Sequence, residues 1–447
     1  MSLINSTAIP SGATGYEIGH SVRFDEASNP SLTRTPSSEG NRKTWTYSVW
    51  VKRGNVGIGT YLLGSNGRYG TFIYFSTADR LGFSSSYADV GRGIESTALY
   101  RDPNAWMHIV AVFNTTESTG ADRMKLYVNG SRLTDLSWNT AHQHPQNNDG
   151  MGMNMTTLQE ISGGGRYAST VRWDGYMGEI NFIDGAAKAP SDFGETGDYG
   201  EWKPIEYSGS YGSQGFYLDF ADSGNLGDDE SGNGGDFTEN NIAATDQMVD
   251  SPTNNFPTMN PLDSGVTSLA EGNLSITTSG SNNGGIRSTM SFPSGKWYTE
   301  VLLKTVAGGT QPYHWGIGKH TASITSWVSG GDYAVMEDDG SMKTDGSNVS
   351  PTYYSGGFIV GDIIGIAVDV DNNQLTFYKN NVSLGAHSYT IESNEYFLYI
   401  GDGSTVRSGV TIANFGQDSS FAGNKTAQGN QDGNSIGDFI THHLLAS

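Results

Sequence analysis

Hydrophobic and polar residues alternate with a period of two along many short stretches of this chain. The clearest stretch is Thr44–Lys52, in which the residues on one face are Trp45, Tyr47, Val49 and Val51. Because successive side chains of a strand point to opposite faces, this pattern predicts β-strands with one buried face. No stretch longer than about two turns shows the 3.6-residue period of a helix, so we expect helix in less than roughly a tenth of the residues.

Comparable stretches recur at short intervals and are bounded by turn residues. In the first half they are residues 69–75, 80–84, 106–113, 124–128, 176–183 and 215–220. In the second half they are residues 288–292, 296–304, 314–318, 333–337, 362–369, 374–379, 396–401 and 411–415. The dipeptide Asn129-Gly130 is typical of a hairpin turn, and Pro190–Gly194, with Ser191 as its cap, predicts one short helix. This pattern indicates an all-β fold class, with two tandem antiparallel β-sandwiches.

The length of the chain also favours two domains. Its 447 residues exceed the roughly 250–300 residues that one hydrophobic core usually serves. Residues 221–268 are rich in Gly, Asp and Pro and have no apolar period, which is typical of a linker. The predicted organisation is an N-terminal anchoring segment at 1–15, a first sandwich at 16–220, the linker at 221–268, a second sandwich at 269–416 and a polar C-terminal tail at 417–447.

Charge and cysteine content exclude several classes of function. The formal net charge of −22 repels phosphate backbones and anionic lipid, so we expect neither nucleic acid as a partner nor insertion into a membrane. The absence of cysteine excludes disulfides and thiolate zinc sites. We expect no cofactor. Carboxylates holding calcium are the alternative to a purely solubilising role for the acidic residues.

The surface composition points away from a typical cytoplasmic enzyme. Only 16% of the residues are charged, so the surface must consist largely of Ser, Thr, Asn, Gly and Gln, as in extracellular and viral β-proteins. Residues Met1–His20 show no basic region followed by an apolar run, so we expect no export signal. Together these features favour a virion component that is made in the host cytoplasm.

Three segments in the first half carry a resemblance to a known fold. They are Thr46–Lys52, Trp106–Phe113 followed by Lys125–Gly130, and Gly175–Ile183. In this order they resemble the laminin-G-type, concanavalin A-like jelly-roll sandwich. The resemblance covers about residues 16–220 and implies binding of glycans or proteins, often with calcium.

The second half resembles a SPRY domain. Ser294–Val301 is similar to the entry strand of that family, and Gly361–Asp369 followed by Gln374–Asn380 is similar to its most specific signature. The resemblance covers about residues 270–416. It implies binding of a protein or peptide through loops at one end of the sandwich.

The junction between the halves carries a third resemblance. Gly215–Phe220, Ser231–Asn233 and Asp250–Asn255 resemble segments in structural and fibre-type proteins of marine tailed bacteriophages, in which a SPRY domain also follows a laminin-G-like one. This implies a tail or capsid fibre on the virion surface, with other virion proteins and a host surface glycan or protein as partners. The alternatives are a secreted or surface bacterial lectin and, more remotely, a laminarinase-type glycosidase.

The sequence lacks the working parts of an enzyme. A retaining glycosidase of this fold needs two carboxylates on one strand about 5 Å apart. Glu179 stands alone on its strand, and Asp219 has no partner two residues away. We therefore expect no enzymatic activity. His142 and His144 fall on one face if they lie on a strand, but an exposed polar loop is favoured over a metal site.

Aromatic residues in loops are the candidates for ligand binding, because a sugar ring or a peptide stacks on an aromatic face. The alternative for each of them is a place in the core. The candidates are Trp138, Tyr313, Trp327, Tyr353 and Tyr354.

Assembly is predicted from analogy with phage fibres, which are commonly trimers. We expect a homotrimer that is built without a coiled coil, because no heptad run exists. Residues Met1–Pro10 are small and mildly apolar, and they could add as a strand to a neighbouring protein. A disordered terminus is the alternative.

Overall fold

Two compact all-β units make up the chain. The structure is a computed structural model, and it describes residues 15–65, 70–87, 90–137, 144–147, 150, 152–164, 171–266, 268–279, 284–308, 313–325, 331–349, 353–403, 408–431 and 437–440. Unit 1 is Met1–Asn255, and unit 2 is Phe256–Ser447. Within the described ranges, no helix is both long and apolar enough to cross a lipid bilayer. The predicted anchoring segment at 1–15 lies outside the described residues, except for Gly15.

Unit 1 contains two antiparallel sheets. Its strands are β1 Ser21–Phe24, β2 Ser31–Arg34, β3 Thr44–Arg53, β4 Thr60–Ser65, β5 Thr71–Phe75, β6 Leu81–Tyr87, β7 Val90–Glu95, β8 Met107–Asn114, β9 Met124–Val128, β10 Ser131–Arg132, β11 Gln159–Ile161, β12 Gly175–Asp184, β13 Gly194–Thr196, β14 Trp202–Pro204, β15 Phe216–Leu218, β16 Thr238–Asn240 and β17 Gln247–Met248. Sheet A has the order β10-β9-β8-β3-β12-β1-β17, with β15 also paired to β12, and sheet B has the order β16-β2-β11-β4-β5-β6-β7. Strands β13 and β14 form a separate hairpin.

Unit 2 repeats the arrangement with different connections. Its strands are β18 Met259–Ser264, β19 Ser268–Ala270, β20 Ser275–Ser279, β21 Gly285–Ser291, β22 Lys296–Ala307, β23 Tyr313–Lys319, β24 Tyr333–Glu337, β25 Met342–Thr344, β26 Ser347–Asn348, β27 Ile363–Asp369, β28 Gln374–Lys379, β29 Val382–Ser388, β30 Tyr396–Asp402, β31 Ser408–Asn414, β32 Asn430–Gln431 and β33 Asp438–Phe439. Sheet C has the order β18-β21-β30-β23-β24-β25-β26, and sheet D has the order β19-β20-β31-β22-β27-β28-β29. The all-β prediction of two tandem sandwiches is therefore confirmed.

Helical structure in the described residues consists of single 3-10 turns. They are Glu26–Ser28, Gly120–Asp122, Pro190–Asp192 and Ala244–Asp246. The short helix expected after Pro190 is one of these turns. Its start is held by the Asp192 carboxylate, which accepts a hydrogen bond from Ala189 N–H at 2.9 Å, and not by Ser191.

The core of unit 1 is built around the face of β3 that the sequence pattern indicates. Trp45 is fully buried, stacks on Phe113 and Phe182 at 5.3 and 5.6 Å, and meets Phe83 of sheet B edge-on at 5.5 Å. Such aromatic pairs add to the free energy gained from apolar burial. These contacts join the two sheets, so the aromatic face of β3 is the centre of this sandwich.

The opposite face of β3 is also buried, which the alternating pattern does not predict. Thr46 donates to the carbonyl of Ala186 at 2.9 Å, and Ser48 contacts His108 Nε2 at 2.8 Å. Lys52 pairs with Asp250 at 2.7 Å. Segments that follow β12 and β15 therefore cover the outer face of sheet A with a polar and aromatic layer.

The predicted linker is wrong for most of its length. The units divide between Asn255 and Phe256, and within 221–255 the strands β16 and β17 pair with β2 and β1 of unit 1. Single buried residues hold this segment, among them Leu226, Phe237 and Met248. Such isolated anchors leave no period in the sequence, and this is why the segment resembles a linker.

The predicted C-terminal tail also belongs to a folded unit. Phe421 is fully buried, and β32 pairs with β33. Asp438 N–H donates to the carbonyl of Gly416 at 2.7 Å. The described part of 417–447 is therefore an extension of unit 2, fixed by backbone pairing and a few apolar contacts.

Candidate binding surface

Two of the predicted tyrosines lie together in the segment that precedes β27. Tyr353 donates a hydrogen bond to the carbonyl of Gly385 on β29, and its ring meets Phe377 edge-on at 6.3 Å. Tyr354 contacts Phe358 at 5.9 Å, and the Lys379 ammonium lies 5.6 Å from the centre of its ring. Both tyrosines are half-buried, so each is held in place while part of it faces solvent.

Exposed aliphatic residues lie in the same segment and on the adjacent hairpin. Ile359 is 69% exposed, Val360 is 54% exposed, and Val382 at the start of β29 is 65% exposed. Single apolar residues on a surface are ordinary, whereas a group of them marks an interaction site. We call these three residues, together with Tyr353 and Tyr354, the unit 2 patch.

One carboxylate joins the two halves of the unit 2 patch. Asp362 Oδ2 accepts hydrogen bonds from Ile359 N–H at 2.8 Å and from the Lys379 ammonium at 3.0 Å, and Oδ1 accepts one from the Asn380 amide at 2.7 Å. Lys379 lies opposite Val382 in the register of β28 and β29. The loop that carries Ile359 and the hairpin that carries Val382 are therefore tied to the same side chain.

The electrostatics of Asp362 support a fixed geometry. Burial on its own would raise the pKa of this carboxyl, but the hydrogen bonds from Ile359, Asn380 and Lys379 outweigh burial and hold the pKa below its usual value. Asp362 is therefore ionised at neutral pH, and its carboxylate holds the Ile359 backbone and the Asn380 and Lys379 side chains in place.

The hairpin geometry explains how Val382 becomes exposed. Asn380 and Asn381 both have positive φ, at 47° and 70°, as a type I′ turn requires. Asn380 N–H donates to the carbonyl of Ile363 at 2.9 Å, and its side-chain oxygen accepts from Ile363 N–H at 2.9 Å. These hydrogen bonds anchor the turn on β27, and Val382 is the first residue after the turn.

Tyr313 is wrong as a candidate binding residue. It lies at the start of β23, is 1% exposed, stacks on Trp315 at 6.3 Å, and its hydroxyl contacts Thr278 of sheet D at 3.1 Å. Tyr313 therefore belongs to the core between sheets C and D. Trp138 and Trp327 lie outside the described residues. Ile359, Val360 and Val382 were not predicted from the sequence. The one signal available for them was the apolar run Phe358–Val360, which comes before a turn instead of inside a strand.

Glu179 occupies an unusual position in unit 1. It sits at a bulge of β12 with φ of 51° and is almost fully buried. Its two oxygens accept hydrogen bonds from Tyr16 at 2.9 Å and Tyr217 at 3.0 Å. The pKa of Glu179 is raised to about 7, mainly by burial and also by the nearby charge of Asp219. The hydrogen bonds from Tyr16 and Tyr217 act in the opposite direction but do not outweigh burial.

Further aromatic side chains surround Glu179. Tyr211 donates to the side-chain oxygen of Asn181 at 2.8 Å and stacks on Tyr217 at 6.0 Å. Both carboxyl oxygens of Glu179 already accept a hydrogen bond from a tyrosine hydroxyl. This cluster therefore links the residues before β1 to β12 and β15.

A second buried titratable group on the same face, His108, stays neutral. Trp202 donates to its Nδ1 at 3.0 Å, so Nε2 carries the proton and donates to Ser48 at 2.8 Å. Trp50 stacks on the imidazole at 4.8 Å. Burial lowers the pKa of His108 to about 3. Ser48 and His108 therefore form a buried pair that a substrate cannot reach.

No group of three or more His, Asp or Glu side chains within the described ranges is placed to hold an ion. Of the two histidines considered in the sequence, His142 lies outside these ranges. Burial lowers the pKa of His144, and neighbouring Arg123 and Arg132 lower it further.

Comparison with known proteins agrees with the fold of unit 1. Residues 27–191 match the family model Laminin_G_3, described as the concanavalin A-like lectin/glucanases superfamily. The resemblance of the first sandwich to this fold is confirmed over that range. No curated protein matches the chain.

Solved structures similar to the chain include SPRY domains and a pentraxin. The SPRY domain of human HERC1 is 14% identical, with 35% of this chain and 96% of that chain covered and a TM-score of 0.31. A human SPRY domain is 16% identical, with 31% and 90% covered and a TM-score of 0.25. The heptameric SAP-like pentraxin from Limulus polyphemus is 16% identical, with 39% and 80% covered and a TM-score of 0.27.

Proposed function

We propose that the chain is a non-enzymatic binding protein of a tailed-phage virion surface, a fibre or host-recognition part, and that the unit 2 patch contacts a host surface protein. The observation that carries the binding proposal is the set of exposed aliphatic residues fixed beside two tyrosines by Asp362. Exposed aliphatic side chains gain free energy against an apolar protein surface, whereas sugars are bound mainly by aromatic faces and polar groups. This favours a protein over a glycan.

The virion location draws support from the sequence. The sandwich modules, a polar surface with few charges and the phage-type junction segments all favour it. Recovery of the chain from washed phage particles is the expected result. Its absence from particles would favour the alternative, a bacterial lectin.

Binding is tested with labelled full-length chain on intact cells of candidate marine host strains. Cells are first treated either with proteinase, which removes surface proteins, or with periodate, which oxidises vicinal diols of glycans. We expect proteinase to abolish binding and periodate to leave it unchanged. The reverse result would overturn the choice of a protein partner in favour of a glycan.

We propose the absence of catalysis because both oxygens of the Glu179 carboxyl already accept hydrogen bonds from tyrosines. The chain should release no reducing sugar from β-glucans or from host polysaccharide. Turnover that disappears in Glu179→Gln would contradict the proposal, because this variant keeps the shape of the side chain and removes only its charge and acidity.

The oligomeric state and the anchor are also proposals. We propose a homotrimer, which light scattering on the purified chain tests directly, and a monomer at working concentration would contradict it. We propose Met1–Pro10 as the attachment segment on another virion protein. Full occupancy of particles by a chain that lacks these residues would contradict that role.

A further inference from the structure

A lysine, an aspartate and an asparagine meet inside unit 1. Lys52 lies on β3, and its ammonium donates to Asp250 Oδ2 at 2.7 Å and to Asn255 Oδ1 at 2.8 Å. The Lys52 and Asp250 side chains are both 0% exposed, and Asn255 is half-buried. The amide oxygen of Asn255 is one bond away from the carbon that an amine would attack.

Other contacts fix Asp250 and Asn255. Trp106 Nε1 donates to the second oxygen of Asp250 at 2.8 Å, and Ser21 Oγ donates to the Asp250 backbone carbonyl at 2.6 Å. The side-chain nitrogen of Asn255 donates to the carbonyl of Asn104 at 2.9 Å. The amine and the amide are therefore held together in one geometry, which is the condition for a fast intramolecular reaction.

The surroundings favour a reactive amine over a permanently charged one. Ile18, Trp50, Trp106, Tyr176 and Met248 form an apolar cluster on this face of sheet A. Burial lowers the pKa of Lys52, while the charge of Asp250 acts in the opposite direction. An ammonium in such a place can pass its proton to the neighbouring carboxylate and become a nucleophile.

We propose that Lys52 and Asn255 form an intramolecular isopeptide bond, with Asp250 as the proton relay. Asp250 takes a proton from the Lys52 ammonium, and the neutral amine attacks Cγ of Asn255. The new bond joins Nζ to Cγ, the bond from Cγ to Nδ2 breaks, and Asp250 passes its proton to the leaving nitrogen. The second proton lost by the amine also ends on that nitrogen, so ammonium leaves and Asp250 is a carboxylate again. No oxidant or cofactor is needed.

The half-buried position of Asn255 suits this reaction, because ammonia has a route to solvent while the amine stays sheltered. The bond would join β3, at the middle of sheet A, to the last residue of unit 1. A covalent link across so much of the chain restricts the unfolded state and so stabilises the folded unit.

Unit 2 contains a matched control with the same three residue types. Lys379 and Asp362 pair at 3.0 Å, and the Asn380 side chain points its nitrogen at Asp362 while its oxygen accepts from Ile363 N–H. The Lys379 side chain is 20% exposed. Because the amide oxygen faces the backbone and the lysine is hydrated, this cluster should not react.

The experiment is the intact mass of the purified full-length chain. We expect a mass about 17 Da below the sequence mass, from the loss of ammonia, and a proteolytic fragment that joins the Lys52 and Asn255 peptides. Asn255→Ala and Lys52→Met should restore the full mass, whereas Lys379→Met should keep the deficit. Asn255 lies at a half-buried position, so Asn255→Ala keeps the test informative if Lys52→Met fails to fold.

Two results would overturn the proposal. The full sequence mass in folded wild-type chain would leave the cluster as a salt bridge only. A deficit of about 18 Da, from the loss of water, would place the link at Asp250 and contradict the role of Asn255.

Discussion

The same three residue types, lysine, aspartate and asparagine, form one cluster in each unit, and the two clusters differ in burial. Around Lys52 both ionic side chains are shut off from solvent, whereas around Lys379 the ammonium is partly hydrated. Around Lys52 the cluster is covered by aromatic residues, whereas Asp362 holds a surface loop that carries exposed aliphatic residues. The surroundings of such a cluster, and not its residue types, therefore decide whether it is a buried structural or reactive centre or the support of a surface loop.

The largest expected loss of stability follows the removal of the Asp250 carboxylate. Asp250→Ala leaves the Lys52 ammonium buried without its carboxylate, which should cost about 3–5 kcal/mol of the free energy of unfolding. The variant also removes the proposed proton relay, and the loss of the isopeptide bond would lower the stability further. Guanidinium unfolding followed by tryptophan fluorescence measures the loss, and one below about 1 kcal/mol would show that Lys52 has other compensation.

The next largest effect concerns how the free energy of unfolding depends on pH through Glu179. Burial raises the pKa of Glu179 to about 7, from an unfolded value of about 4.3, so the stability that it contributes is fully present below pH ~4 and is lost as the pH rises to ~7. Glu179→Gln should remove this part of the fall in stability between pH ~4 and ~7. Urea midpoints measured between pH 4 and 8 test it, and an unchanged profile in Glu179→Gln would contradict the raised pKa.

A smaller effect is expected at Asp362. Asp362→Ala removes an ion pair that water partly screens, together with hydrogen bonds to Ile359 and Asn380, so we expect a loss of about 1–2 kcal/mol. Because the pKa of Asp362 is depressed, its contribution is present above the unfolded value and lost as the pH falls through the folded one. A loss as large as that of Asp250→Ala, measured in the same way, would remove the contrast between the clusters.

The strands and their buried faces could be predicted from the sequence wherever hydrophobic and polar residues alternate with a period of two. The apolar face of β3 is an example, because Trp45 and its neighbours share one period. Residues 221–255 could not be assigned to unit 1, because they are held by isolated anchors such as Phe237 and by the Lys52–Asp250 pair, which are distant in sequence. Contacts of this kind leave no local pattern.

The candidate surface was predicted in part. Tyr353 and Tyr354 lie at the patch, but Tyr313 was assigned to a loop because its strand begins one residue earlier than the polar His314 suggests. The exposure of Val382 depends on the Asn380-Asn381 turn and on Asp362, which only the fold brings together.

Two exposed residues of unit 2 provide the most direct test of the binding surface. Val382→Ser and Leu262→Ser each remove an exposed aliphatic side chain, 65% and 57% exposed, and each should change the free energy of unfolding by less than about 0.5 kcal/mol. Binding of the labelled chain to host cells is measured for both variants. We predict that Val382→Ser weakens binding about tenfold, a loss of about 1.4 kcal/mol, and that Leu262→Ser binds like the wild type. Equal binding by both variants would contradict the assignment of the unit 2 patch as the binding surface.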